Sequence, residues 1–201
     1  MYIYEIGKII LIPGNGGNQL YAKLKKTKAP HFICGLKTSD FYLAWLDIST
    51  LLPYYVDCFV DNLRLVYDSK RRTTSNSPGV ETLINGFGQT HTVEYLDKYP
   101  FSVASYFAPI VNAFVANFKY VRGVNVRAAP YDWRKAPNEL GEYYANLTKL
   151  VEDSYYANNG TRVILIAHSM GNPIALFWLN RIVSPAWKSK FIRSFVSLAG
   201  A

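Results

Sequence analysis

The sequence of 201 residues lacks any hydrophobic run long enough to span a membrane as a helix. Its apolar stretches at residues 9–13, 163–167 and 174–179 fall far short of the roughly 20 residues that a spanning helix needs. The sequence also lacks internal repeats and low-complexity tracts, and 50% of its residues are hydrophobic while 18% are charged. These absences exclude a disordered chain and a coiled coil, and they indicate a folded domain that can bury a core.

Acidic residues are comparatively few: 14 stand against 22 basic residues, so the formal net charge is +8. The basic residues form only small clusters, at residues 23–28, 70–72 and 181–193. Nucleic-acid binding is typical of a more concentrated basic surface, and the pattern therefore argues against a nucleic-acid partner. Attraction to an anionic lipid surface fits this charge balance better.

Cysteine is rare, with Cys34 and Cys58 alone, and two glycosylation sequons begin at Asn146 and Asn159. In an oxidising compartment the two cysteines would pair, whereas in the cytosol they would remain buried free thiols. The residues themselves leave both options open. Residues 1–12 do not have the pattern of a secretory signal, so a secreted protein would need an upstream segment.

Apolar strands and amphipathic helices alternate along much of the sequence. The spacing predicts strands at residues 8–12, 124–128, 162–167 and 191–198, and helices at residues 103–118, 138–156 and 170–182. Ser102 is the expected cap of the first helix, and Pro109 predicts either a kink or a later start. Residues 20–100 are rich in turns and are interpreted as an insertion. The alternation predicts an α/β fold with a mostly parallel sheet flanked by helices.

The segment Ala167-His168-Ser169-Met170-Gly171 connects a buried strand to a helix, which is the setting of a nucleophile elbow. A serine in this setting lies on a tight turn, and the next helix directs its N–H groups at developing negative charge. Small residues are needed two positions before and after the serine, and Ala167 and Gly171 meet that need. We therefore predict that Ser169 is a nucleophile, and we interpret His168 as structural rather than as its general base.

Residues 13–17 form a glycine-rich turn directly after the first strand. Acyl transfer needs two N–H donors that stabilise an oxyanion. The residue after the nucleophile, Met170, is expected to supply one donor, and Asn15 in the glycine-rich turn the other. A phosphate-binding loop is a weaker interpretation, because no Gly-Lys-Ser/Thr motif follows.

These motifs resemble the lecithin–cholesterol acyltransferase and lysosomal phospholipase A family of α/β-hydrolases, with the lysosomal branch the nearer one. The matching segments are residues 10–20, 22–24, 43–46, 51–53, 57–58, 61–67, 126–134, 136–139, 167–172, 186–188 and 195–199. The resemblance implies an α/β-hydrolase-like fold in which residues 1–201 form the N-terminal part of a single domain, incomplete at its C-terminus. Residues 30–100 would be a disulfide-stapled, lipid-facing insertion.

The resemblance also implies a serine-dependent phospholipid acylhydrolase and O-acyltransferase that works through an acyl-enzyme. Its partner would be a phospholipid membrane surface, a lipoprotein or another lipid substrate, with no cofactor, no metal and no obligate protein partner. The protein would be lysosomal or secreted. Asn15 departs from the acidic residue that is usual in the lysosomal branch, so an acid pH preference does not carry over.

At the level of single residues, the resemblance implies a disulfide between Cys34 and Cys58. It implies a membrane-docking element between them, with four apolar side chains facing lipid: Trp45, Leu46, Leu51 and Leu52. A small loop closed by a disulfide cannot bury this many apolar side chains by itself, which favours contact with lipid. The alternative is that these side chains pack on the sheet. The loop at residues 131–134 is expected to support the site structurally.

No Asp, Glu or His occurs in residues 170–201. The family's triad follows the chain order Ser, Asp, His, so this stretch lacks both partners of Ser169. His31 and His91 lie upstream in irregular segments. Because a serine without its base is a weak nucleophile, we expect the N-terminal portion of a longer enzyme, inactive on its own. The alternative is a non-catalytic lipid-binding fragment.

Overall fold

The computed structural model describes residues 7–98 and 104–200. Its strands are β1 (Ile9–Ile12), β2 (Leu20–Leu24), β3 (Tyr42–Trp45), β4 (Leu65–Asp68), β5 (Thr73–Asn76), β6 (Val80–Leu83), β7 (Val126–Ala128), β8 (Val163–His168) and β9 (Ile192–Leu198). Its helices are α1 (Val56–Leu63), α2 (His91–Glu94), α3 (Ala108–Phe118), α4 (Gly141–Tyr156), α5 (Gly171–Arg181) and α6 (Pro185–Phe191), with 3-10 helices at Ile48–Leu51 and Pro137–Glu139. Within these ranges, no helix is both long and apolar enough to cross a membrane.

A four-stranded parallel sheet lies at the centre of the fold, with the strand order β7-β1-β8-β9. In β1, Ile9 is opposite Val126 on one side and Ile164 on the other. All four residues of β1 are buried, because neighbouring strands flank it and helices cover both faces of the sheet. The predicted α/β class, a parallel sheet flanked by helices, is confirmed.

Alternate residues of β1 enter two different hydrophobic cores, as the two-residue repeat of a strand requires. Ile10 and Ile12 pack in a core that includes buried residues of α4, α5 and α6. Ile9 and Leu11 pack on the opposite face, in a core that includes Val111 of α3. The sheet is therefore held between two helical layers, which leaves its strand ends as the accessible edges.

Residues between β1 and α3 build a second, smaller layer. There β2 pairs antiparallel with β3 and with β6, and β4 forms a two-stranded antiparallel pair with β5. Three residues of β2, namely Leu20, Ala22 and Leu24, share a core of their own with Leu63 and Val80. The region interpreted as an irregular insertion thus contains five strands and two helices among its described residues.

Arg134, in the loop after β7, ties this smaller layer to the central sheet. Its guanidinium donates to the carbonyl oxygen of Leu63 (3.0 Å) and to Oδ1 of Asn76 (2.9 Å), and it pairs with Asp132 (2.7 Å). Only 6% of the Arg134 side chain is exposed. A buried guanidinium is tolerated when its N–H groups have such partners, so this residue joins three segments of the chain.

Two helices differ from the sequence prediction. Helix α3 begins at Ala108 with Pro109 in its first turn, so the later start is correct and the kink is not needed. The expected cap, Ser102, lies outside the described residues. Helix α6 was not predicted, because seven residues are too few to establish a helical period; its cap is Ser184, whose hydroxyl accepts the N–H of Trp187.

Candidate active site

Ser169 lies on the turn between β8 and α5, partly exposed at the carboxyl edge of the sheet. Its φ of +50° falls in the left-handed region, which costs a non-glycine residue about 1–3 kcal/mol. The Ser169 N–H donates to the carbonyl of Leu198 in β9 (3.0 Å). The side-chain amide of Asn172 donates to the carbonyls of Ser169 (2.9 Å) and Leu198 (3.2 Å). These bonds hold the strained turn against the neighbouring strand.

The small residues around the serine have a steric reason in the structure. Ala167 is fully buried in β8. A Cβ atom on Gly171 would lie 2.6 Å from the carbonyl oxygens of both Ile12 and Pro13. The backbone of the turn therefore rests directly on the end of β1, and no side chain fits between them.

The glycine-rich loop after β1 contacts the serine. A Cβ atom on Gly14 would lie 2.8 Å from Cβ of Ser169 and 3.0 Å from the carbonyl oxygen of His168. Among the described residues, neither the N–H of Asn15 nor that of Met170 donates a hydrogen bond. Asn15 is exposed and Met170 precedes the N-terminus of α5, so two uncommitted donors occur next to the nucleophile candidate. Such donors can stabilise negative charge on a reacting oxygen.

Two tryptophans donate hydrogen bonds to carbonyl groups of the same loop. Nε1–H of Trp45 donates to the carbonyl of Gly16 (2.7 Å), and Nε1–H of Trp133 donates to that of Asn18 (3.3 Å). Their rings meet edge to face at 5.4 Å. Trp45 is therefore partly buried against the loop, and its predicted contact with lipid stays a prediction. Its amphipathic indole finds both a packing surface and an acceptor there.

Tyr106 is a site residue that sequence analysis does not reveal, because it falls within the predicted helix at residues 103–118 with no motif around it. Its phenol oxygen accepts the N–H of Gly14 (3.0 Å) and is hydrogen-bonded to Nδ1 of His168. Burial raises the pKa of the Tyr106 phenol, and the Gly14 N–H lowers it by a smaller amount. No local pattern predicts these contacts, since 92 residues separate Tyr106 from Gly14.

The three histidines lie in three different parts of the structure. His168 projects from the end of β8 toward Tyr106, which agrees with a structural role. Nε2 of His31 lies 2.7 Å from a carboxylate oxygen of Asp57 on the surface of the smaller layer. His91 begins α2. Among the described residues, no histidine or carboxylate is hydrogen-bonded to the Ser169 hydroxyl, and no group of three His, Cys, Asp or Glu residues could hold a metal ion.

The disulfide between Cys34 and Cys58 is present, as predicted. Within the segment that it closes, Leu51 and Leu52 are 43% and 56% exposed. Leu46 is half-buried and lines a surface groove. In this segment the leucines thus lie at the surface, whereas Trp45 packs against the glycine-rich loop.

Both sequons lie on the surface. Asn146 is exposed on α4, and Asn159 is exposed in the turn that follows this helix. Glycan attachment requires such access.

Comparison with known proteins places this geometry in context. The sequence profile of the family described as lecithin:cholesterol acyltransferase matches residues 41–201. The chain is 46% identical over 190 residues to the lysosomal phospholipase A and acyltransferase of Homo sapiens, a match that covers 94% of this chain and 45% of that protein.

Two further relatives are phosphatidylcholine-sterol acyltransferases. That of Homo sapiens is 46% identical over 190 residues (94% of this chain, 42% of the relative), and that of Gallus gallus is 45% identical over 188 residues (94% and 44%). The chain therefore spans less than half the length of these relatives, all of which are named as enzymes.

We predict that Gly171→Ala destabilises the protein by about 2 kcal/mol, because the new methyl group meets two backbone carbonyls that cannot move independently. Urea unfolding measures the change. Gly141→Ala is the matched control, since a Cβ atom at Gly141 has no neighbour within 4 Å. Equal stability of the two variants would contradict the close approach of the turn to the end of β1.

Proposed function

Because the chain belongs to the lecithin:cholesterol acyltransferase family, we propose that it supplies the nucleophile and oxyanion hole of a serine-dependent phospholipid acylhydrolase and O-acyltransferase. The observation that carries the proposal is the contact between the strained turn at Ser169 and the loop at Gly14. Two backbone N–H donors, those of Asn15 and Met170, remain uncommitted beside that contact. Acyl transfer by serine needs this combination.

In the proposed reaction, Oγ of Ser169 attacks the ester carbonyl carbon of a glycerophospholipid and loses its proton to a general base. The carbonyl oxygen becomes negative and accepts hydrogen bonds from the N–H groups of Asn15 and Met170. Collapse of this intermediate breaks the ester bond, and the lysophospholipid leaves as an alcohol because its oxygen takes the proton from the general base. Water or a lipid alcohol then attacks the acyl-enzyme and restores Ser169. The sequence of steps requires neither a cofactor nor a metal.

We propose that the general base comes from outside these 201 residues. The support is that His31, His91 and His168 have other environments, while residues 170–201 contain no Asp, Glu or His. The relatives, which are more than twice as long, have room for such residues beyond the matched part. The 201-residue chain is therefore expected to be inactive on its own.

The proposed partner is a phospholipid surface. Leu51 and Leu52 are exposed in the disulfide-closed segment, and Tyr54 and Tyr55 beside them are 79% and 50% exposed. Exposed leucines flanked by tyrosines are typical of a surface that inserts into the boundary between headgroups and acyl chains. The net charge of +8 adds attraction to anionic lipid.

We also propose a lysosomal or secreted location and glycosylation at Asn146 and Asn159. The disulfide and the exposure of both asparagines support it, because disulfides persist in oxidising compartments. A glycosidase that removes N-linked glycans is expected to increase the electrophoretic mobility of the protein from its native source. Unchanged mobility would contradict glycosylation at these asparagines.

The nucleophile is tested with the 201-residue chain and with any longer product of the same gene. In the form that hydrolyses phospholipid, Ser169→Ala is expected to lower kcat by roughly 1,000-fold or more, because the acyl-enzyme cannot form. Ser75→Ala, at an exposed serine of β5, is the matched control and should retain activity. Phospholipid hydrolysis and labelling by a fluorophosphonate are the measurements.

Undiminished turnover in Ser169→Ala would overturn the assignment of the nucleophile. Turnover by the 201-residue chain that depends on Ser169 would instead leave the nucleophile in place. It would overturn the proposal that the base lies outside this chain.

The lipid surface is tested with vesicles of phosphatidylcholine that contain one-third phosphatidylglycerol. The double variant Leu51→Ser/Leu52→Ser is expected to bind them roughly tenfold more weakly, because two apolar side chains no longer enter the bilayer. Leu176→Ser is the matched control, since Leu176 is 45% exposed but lies on α5. Equal binding by the double variant and the control would show that the segment is not the docking surface.

A further inference from the structure

We propose that Tyr106 is a positioning residue for acyl transfer, which holds the glycine-rich loop and the nucleophile turn in register through one phenol oxygen. The inference rests on the proposed function, since it assigns the loop as part of the oxyanion hole. Tyr106 precedes α3 and lies far from both partners in the sequence.

The ring of Tyr106 packs directly against the loop. A Cβ atom on Gly17 would lie 2.8 Å from Cε1 of this ring, and one on Gly14 would lie 3.2 Å from the phenol oxygen. The phenol oxygen accepts the Gly14 N–H at 3.0 Å, and the Gly17 N–H donates to the Gly14 carbonyl at 3.0 Å. Asn15 is therefore held between two hydrogen-bonded peptide groups, and the orientation of its N–H depends on both.

The same phenol oxygen reaches the nucleophile turn. It is hydrogen-bonded to Nδ1 of His168, the residue before Ser169. Because burial keeps the Tyr106 phenol protonated, its O–H donates to Nδ1 while its lone pair accepts the Gly14 N–H. In this arrangement Nδ1 of His168 is the acceptor, which corresponds to the Nε2–H tautomer. One hydroxyl thus fixes the loop and the turn to each other.

Backbone hydrogen bonds hold Tyr106 in place, so its side chain can position the two segments that it contacts. Its N–H donates to the carbonyl of Glu94 (2.8 Å), and the N–H of Phe107 donates to that of Val93 (3.0 Å). The rings of Tyr106 and Phe107 lie 4.7 Å apart, and Phe107 is buried in the core beneath the sheet. The backbone bonds and the buried Phe107 therefore restrict the position of the Tyr106 hydroxyl.

Tyr106→Phe removes the hydroxyl and keeps the ring. The matched control is Tyr120→Phe, which removes a buried hydroxyl that donates to the carbonyl of Gly7 (2.8 Å), away from the serine. Protein labelled with ¹⁵N at glycine and histidine gives two readouts that do not depend on activity: hydrogen exchange of the Gly14 amide and the tautomer of His168.

In Tyr106→Phe we expect Gly14 amide exchange to become about tenfold faster, because its acceptor is lost. We also expect the His168 tautomer to shift away from the Nε2–H form. In the form of the protein that turns over lipid, kcat should fall about 10- to 100-fold while KM changes less than about twofold, because the lost alignment matters in the transition state. Tyr120→Phe should leave all of these values near wild type.

Unchanged Gly14 exchange and an unchanged His168 tautomer in Tyr106→Phe would overturn the positioning role. So would a rise in KM without a fall in kcat, or equal effects in both variants. If the wild-type protein shows no Ser169-dependent turnover in any form, the proposed function fails. The exchange and tautomer readouts still decide whether Tyr106 aligns the two segments.

Discussion

The candidate site depends on the close approach of two backbone turns, one after β1 and one after β8. Gly171 leaves room for the carbonyls of Ile12 and Pro13, and Gly14 leaves room for Ser169. A side chain at either glycine would need space that backbone or the serine already occupies. Because β1 and β8 are neighbours in a parallel sheet, their carboxyl ends lie at the same edge. The two glycines have no side chain, so the turns that follow these strands can come into contact.

Several backbone polar groups of this loop form hydrogen bonds with side chains from other parts of the chain. The carbonyls of Gly16 and Asn18 receive the indole N–H groups of Trp45 and Trp133, and the Gly14 N–H goes to a phenol. Each partner comes from a different part of the chain. The N–H groups of Asn15 and Met170, beside Ser169, donate no hydrogen bond among the described residues. Because donors of this kind are already in position, they need to move little when negative charge develops on the reacting oxygen.

The disulfide-closed segment contributes to both the surface and the site. Trp45 at the end of β3 contacts the loop, whereas Leu51 and Leu52 a few residues later are exposed. Arg134 secures the same layer to the central sheet through buried polar contacts. The proposed lipid surface and the proposed oxyanion loop are therefore connected by a short stretch of ordered backbone.

Prediction from sequence succeeded where the signal is local. The alternation of apolar strands and helices predicted the parallel sheet, and the later start of α3 follows from the ring of Pro109. Prediction was incomplete for the turn-rich insertion, whose short strands have no clear period, and for α6, which is too short to show one. The hydrogen bond of Trp45 to the loop was not predicted, because an indole N–H can find its acceptor at many places and the sequence does not distinguish them.

The sequence by itself determined the fold class, the turn at Ser169 and the need for small residues around it, because periodicity and steric limits act over a few neighbouring positions. Only the tertiary structure decided what surrounds that turn. The contacts of Tyr106 and Trp45 with the loop span 92 and 29 residues, so they arise from the way separate layers pack and leave no pattern along the chain.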